Sequence, residues 1–213
     1  MKKYVLVLIS ILAALSCSSS GDELSDRRKG GGTRSYVIDG FRDVSKVDFY
    51  MENPMSANVA LKGEKTPHVH MIWRGDLIPE DEAKRLRKEL GDYGGEYSDA
   101  EGGIVVRVNS FTGIDVTSDT LFNDVKPGES LGDIVVLNWL SAAPTIEAKN
   151  NYIFKPKPYS KLIRDITEAD LFLIQDGFYL IFTETPSIKE HSITVSFMDK
   201  DTTITGTGHF VFK

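Results

Sequence analysis

The sequence has one cysteine in 213 residues, Cys17, which excludes a disulfide framework and every metal centre built on several thiolates. Positive charge is also short. The chain has 25 lysines and arginines against 31 aspartates and glutamates, and a net charge of -6 is the wrong sign for holding a phosphate backbone. Nucleic acid is therefore not an expected partner. No apolar run reaches the ~20 residues of a spanning helix, so a multi-pass helical membrane protein is excluded as well. The glycine triplet Gly30 to Gly32 lies in a polar stretch and not between a strand and a helix, so it is no phosphate-binding loop. What remains is an ordinary globular composition, 41% hydrophobic and 26% charged, in a chain long enough for one large or two small domains.

The first residues read as an address. Lys2 and Lys3 form a positive start, and Tyr4 to Leu15 is an apolar run of twelve residues broken only by Ser10, the pattern of an export signal. The run ends in Ala14-Leu15-Ser16-Cys17, which resembles the lipobox of bacterial lipoproteins; Ala14 stands where that motif usually has a larger aliphatic residue. The resemblance implies that residues 1–16 are removed and that Cys17 is acylated, anchoring the chain to a membrane, with the periplasmic or exposed face of the outer membrane as its place. Cleavage after the small-x-small triplet Ala14-Leu15-Ser16 would instead leave a secreted protein. Loss of Lys2 and Lys3 makes the mature net charge -8, which disfavours docking on anionic lipid. Residues 17–35 are almost entirely Ser, Gly, Asp, Arg and Lys after the cysteine and are expected to form a flexible tether.

Residues 36–213 are expected to form one β-sandwich domain. At the C-terminus Ile193, Val195 and Phe197 alternate with Thr194, Ser196 and Met198, and the Asp199-Lys200-Asp201 turn leads into Thr202 to Phe212, which together predict a hairpin. Leu171 to Ile174 and Phe178 to Thr183 read as strands on either side of a Gln175-Asp176-Gly177 turn, so the last fifty residues look like a meander. Earlier strands are expected at 47–51, 59–61, 68–73, 104–108 and 114–116. Ile134 to Leu140 is apolar on both faces and fits either a central strand or a buried helix. The fold class that follows is all-β, mainly antiparallel, an immunoglobulin-like sandwich.

One short surface helix is expected at 79–90. Pro79 suits its first turn, Glu80, Asp81 and Glu82 the positive end of its dipole, and Gly91 its end; Ala83, Leu86 and Leu90 form a narrow apolar stripe, and the charged residues a solvated face with Glu80–Lys84 and Asp81–Arg85 pairs. The Gly-rich stretch 91–103 would be the breakpoint of a two-module reading, which ranks second because the N-terminal piece is poor in apolar strands.

Three stretches carry a wider resemblance: the lipobox; Ser118-Asp119-Thr120 to Phe122 with Lys126-Pro127-Gly128-Glu129-Ser130-Leu131; and Gly177-Phe178-Tyr179-Leu180, Pro186 and His191 to Phe197. With these the chain is similar to the uncharacterised lipoproteins of about two hundred residues of gut Bacteroides. The resemblance implies an immunoglobulin-like β domain and an envelope address, and it brings no catalytic residues.

Candidate chemistry is thin. His68 and His70 flank Val69, and in a strand both imidazoles fall on one face, a start for a metal site whose further ligands would have to come from Glu64, His191 or His209; the same spacing fits the solvent side of a strand whose other face is Val69, Met71 and Trp73. Asp199-Lys200-Asp201 and Asp99-Ala100-Glu101-Gly102 suggest calcium loops but complete no such pattern, and turn chemistry explains them better. Tyr93, Tyr97 and Trp139, with Tyr152 and Tyr159, fall in or near expected loops, where rings could stack on sugars. The expectation is a binding or adhesion and assembly protein of the cell envelope, without catalysis or cofactor, contacting an envelope or host protein. A glycan-binding accessory lipoprotein is the alternative, and an extracytoplasmic hydrolase stands third.

Overall fold

The C-terminal hairpin forms as its alternation dictates. In the computed structural model, which describes residues 34–49, 59–60, 67–93, 95–96, 104–108, 110–147 and 157–212, strands β11 (Glu190–Met198) and β12 (Thr203–Val211) pair antiparallel along their whole length. His191, Ile193, Val195 and Phe197 point inward from one, Ile204, Gly206, Gly208 and Phe210 from the other. The turn at 199–201 closes through the Asp199 N–H to Thr202 O bond and the Asp199 carboxylate on Lys200 N–H, so this acidic triplet does turn chemistry.

The remaining strands are β1 (Arg34–Ser35), β2 (Ile38–Phe49), β3 (Val59–Ala60), β4 (His68–Leu77), β5 (Gly95–Glu96), β6 (Ile104–Arg107), β7 (Gly113–Ser118), β8 (Val135–Ser141), β9 (Lys157–Leu162) and β10 (Ile174–Phe182). The smaller sheet has the order β3-β12-β11-β7, the larger β4-β2-β6-β10-β8-β9, and β1 pairs with β5 apart from both. Most pairs are antiparallel; β2 with β6 and β12 with β3 are parallel. The two large sheets pack face to face around one core, where Trp73 meets Phe197 at 4.5 Å and Phe178 meets Phe197 at 5.4 Å. This is the all-β, mainly antiparallel sandwich of the sequence reading.

Two glycines let the sheets close. A Cβ on Gly206 would lie 2.1 Å from the Val47 carbonyl oxygen, and one on Gly208 would lie 2.5 Å from the Phe49 ring, so β2 crosses β12 at a distance no other residue allows.

In the larger sheet β10 pairs with β4 over 177–181 and with β6 at Gln175, while β2 pairs with both β4 and β6, so the four strands complete a circuit. Arg42 of β2 ties it: Nε and Nη2 grip the Asp176 carboxylate at 2.8–3.1 Å and Nη1 donates to Gly75 O at 2.6 Å. Residues 175–177 are therefore a bulge within one continuous strand and not a turn between two. Leu171 to Leu173, expected as strand, is a turn in which Leu173 takes a φ of 50°. The closing residues are consequently no meander, because β10 and the β11–β12 hairpin belong to different sheets.

Helix α1 (Glu80–Leu90) follows Pro79 and ends at Gly91, whose N–H reaches Lys88 O. Its stripe of Ala83, Leu86 and Leu90 covers a second, smaller core of Val37, Ile38, Phe41, Val106, Ala142 and Leu173. The solvated charge face expected of it is interrupted. Arg87 is 3% exposed and donates to the carbonyl oxygens of Ile38 and Asp39, and Asp92 accepts from the N–H groups of Val37 and Ile38. The helix's ion pairs join Arg85 to Glu82 and Glu89, and Arg87 to Glu80. A second helix, α2 (Ala143–Glu147), was not foreseen. Strands before and after residues 91–103 share the larger sheet.

Candidate functional site

In β4, β10 and β8 every second side chain enters the core, and what faces outward is unusual. Register places His68, Ile181, Val136 and Leu162 in one row across four strands and His70, Tyr179, Asn138 and Ser160 in the next. Beyond them come Ile72 beside Gly177 and Leu140 beside Pro158. An outward sheet face is ordinarily polar; this one carries Ile72, Val136, Leu140, Leu162 and Ile181, all half-buried, around a Tyr179 that is 40% exposed. A charged rim bounds it on the β2 side, where Asp48 receives Lys46 at 2.5 Å and Arg74 at 3.2 Å. Burial alone would raise the Asp48 pKa, but the two cations hold it below the ordinary carboxylate value.

At the centre His70 and Tyr179 stack with ring centroids 4.7 Å apart and planes 18° from parallel, and His68 approaches the same phenol edge-on at 6.1 Å. The His70 ring rests over Gly177: a Cβ there would lie 2.8 Å from its Nε2. Burial pushes the His70 imidazole below its ordinary pKa, favouring the neutral ring. His68 and His70 thus occupy one outward face of a strand whose other face is Val69, Met71 and Trp73, as the sequence reading had it. The His70 ring lies over Gly177, and in register His70 stands beside Tyr179 and His68 beside Ile181. Of the further ligands considered, His191 is buried in the other sheet, His209 points outward from β12, and Glu64 lies outside the described residues. Among the described residues no three His, Cys, Asp or Glu side chains group as a metal site requires.

The expected ring set separates. Trp139 is no loop residue: it is 2% exposed, on the core face of β8, stacked on Tyr159 at 5.4 Å. Tyr93 is 70% exposed just after α1. Tyr97 and Tyr152 lie outside the described residues, as do Cys17, residues 1–16 expected as a signal, the expected tether up to residue 33 and the 99–102 stretch.

The sequence reading missed two constellations. Ser118 Oγ lies 2.8 Å and Thr120 Oγ1 3.1 Å from His191 Nδ1, while Nε2 faces Ile188 O at 2.9 Å. A serine beside an oriented histidine is the start of nucleophilic chemistry, yet Ser118 and His191 are buried, with Phe122 and Phe212 against the imidazole, and Ser118 Oγ already accepts from Thr120 N–H. The arrangement joins the end of β7 and the residues just after it to the start of β11 and the residues just before it. Gly128-Glu129-Ser130-Leu131-Gly132 has the Gly-x-Ser-x-Gly spacing of a hydrolase elbow, which needs a strand before it and a helix after. Here it is a loop laid along the edge of β7, with Leu131 N–H on Val116 O and Ser130 Oγ on the Asp115 carboxylate at 2.5 Å. A further buried ionic group is Arg107 of β6, which donates to Leu171 O and lies 4.0 Å over the Phe111 ring; burial lowers its guanidinium pKa to about 9, with Asp199 opposing.

No family model, no curated protein and no solved structure matches the chain. No helix among the described residues is long and apolar enough to cross a membrane.

Proposed function

We propose that the chain is a lipid-anchored protein of the bacterial outer membrane, held through Cys17, that binds another protein of the envelope or of a host through the outer face of the larger sheet and does not transform what it binds. The observation that carries the reading is the row of Leu162, Val136 and Ile181, with Ile72 and Leu140 beyond, around an exposed Tyr179 and with a charged margin on the β2 side. An apolar patch with a charged margin is a usual anatomy of a protein contact. The sheet edges favour it less. β7 is covered by residues 128–131, and the β9 edge contains Pro158, which has no N–H to offer an added strand.

The lipoprotein part rests on the lipobox-like Ala14 to Cys17 and on the apolar run before it. Its test is the sedimentation of full-length Cys17→Ala: the wild type stays with membranes and the variant is released. The binding part is tested by cross-linking in intact cells, where Ile181→Glu and Leu162→Glu should each remove adducts that Thr205→Glu, on the other sheet, leaves in place.

Glycan binding is the second reading. Tyr179 beside Asn138 and Ser160 gives it an exposed ring among polar side chains, although Trp139, expected with Tyr93 and Tyr97 in or near loops, is core. A glycan array probed with the protein separates the two.

A further inference from the structure

We propose that the partner seated on this face is a second copy of the chain, in a twofold, sheet-on-sheet dimer. The inference rests on the preceding reading of the outer face as a protein contact and specifies its occupant.

An isologous contact requires one surface complementary to itself. The outer face meets that condition. Its middle row is polar and aromatic (His70, Tyr179, Asn138, Ser160), and the rows on either side are mainly apolar, with Ile181, Val136 and Leu162 on one flank and Ile72, Leu140 and Pro158 on the other. A twofold axis lying along the middle row sets polar row on polar row and apolar flank on apolar flank. An axis parallel to the strands gives the same match. Flat sheet faces of this kind pack at ~10 Å with their strands at about 30°.

Charge selects the same partner. The chain has 31 acidic residues and a net charge of -6, so two copies repel over most of their surfaces. None of the three rows contains a carboxylate, and the nearest in register, Asp48, is neutralised between Lys46 and Arg74. The face therefore offers nothing to steer a basic partner and nothing to repel its own copy. Four strands ~4.8 Å apart and three rows ~7 Å apart give a patch about 15–20 Å on a side. Two such patches bury roughly 450–800 Å², the size of a weak contact and below the ~1,000 Å² of a stable one. Confinement to a membrane would raise the effective concentration of a contact of that size.

The test uses the full chain in the membranes of cells producing it. Asn138→Cys, near any twofold axis in the middle row, is treated with a short bismaleimide, beside Thr205→Cys on the outer face of the other sheet. The expected result is an adduct of twice the chain's mass from Asn138→Cys alone, falling roughly tenfold when Ile181→Glu or, separately, Leu162→Glu is added, as one lost contact of about 1.4 kcal/mol requires. An adduct with a different protein from the same position overturns the dimer and leaves the face a partner surface. No adduct from Asn138→Cys, Ser160→Cys or Tyr179→Cys overturns both readings.

Discussion

Arg87 of the helix places its Nε 2.7 Å from the carbonyl oxygen of Ile38 in β2. With the Asp92 carboxylate on the N–H groups of Val37 and Ile38, both the donors and the acceptors at the start of β2 are taken up by one helix end. A guanidinium at 3% exposure, 4.6 Å over the Tyr36 ring, is there to hold backbone.

Arg87→Met keeps the apolar stem and removes the donors. The carbonyls of Ile38 and Asp39 then stay buried without them, and a loss of about 1–3 kcal/mol is expected. The check is urea unfolding together with amide exchange, where protection should drop first at Ile38. Arg85→Met, on the exposed side of the same helix, should change stability by less than about 0.5 kcal/mol.

Gly206→Ala puts a Cβ against the Val47 carbonyl oxygen, which is backbone and cannot rotate away. The sheets must part locally, at a cost of about 1–3 kcal/mol. Thermal melting should show a fall of several degrees, with Thr205→Ala, which faces outward, as the unchanged reference.

Asp170 gives the chain an acid limit. Burial would raise its pKa, but Lys161 Nζ at 2.6 Å and the Thr167 hydroxyl and N–H hold it below 3.8. A folded-state pKa below the unfolded one means the stabilisation is complete above about pH 4 and disappears as pH falls through the folded value. The wild type should therefore exceed Asp170→Asn in urea midpoint at neutral pH, and the two should converge in acid.

His70 titrates with the same sense of pH for a different reason. Burial lowers its pKa from 6.5, so the neutral ring is the folded form and protonation opposes folding. Stability tied to this residue is present above about pH 6.5 and declines below it. Carbon-detected NMR should give His70 a midpoint under 6.5, and His70→Asn should flatten the stability profile between about pH 7 and pH 5.

Trp139→Ala belongs with the stability variants. Its indole is core, and deletion of such a ring costs about 3–5 kcal/mol. The expected outcome is a large drop in melting temperature, so a change in glycan affinity in that variant would be read only after its fold is confirmed.

The parts of the fold that were legible are those whose causes are local. β11 and β12 alternate residue by residue, and α1 has Pro79 before it, acids in its first turn and Gly91 after it. What was misread depends on distant partners. Asp176 looked like half of a turn because Arg42, 134 residues away, is invisible to any local pattern. Ser118 and His191 are 73 positions apart. Residues 134–140 fitted strand and helix equally because both faces of β8 are apolar: Leu137 and Trp139 face the core, while Val136 and Leu140 belong to the outer patch. The ambiguity of that stretch was itself the signal of the candidate site. Trp139 was misplaced for the same reason, since without a decided strand its inward side could not be named.

The grip of Arg87 and Asp92 on residues 37–39 also fixes how the fold meets tension. A pull on the chain ahead of residue 36 arrives at β2, whose first half lies parallel to β6 from Ile38 to Arg42. Side-by-side parallel strands loaded along their length must break their bonds together, not one after another. Before that, the load has to tear residues 37–39, at the start of β2, from the helix. The start of this domain is therefore built as a mechanical clip: an optical-trap experiment that pulls at residue 36 should find the Arg87→Met chain yielding at a lower force than the wild type.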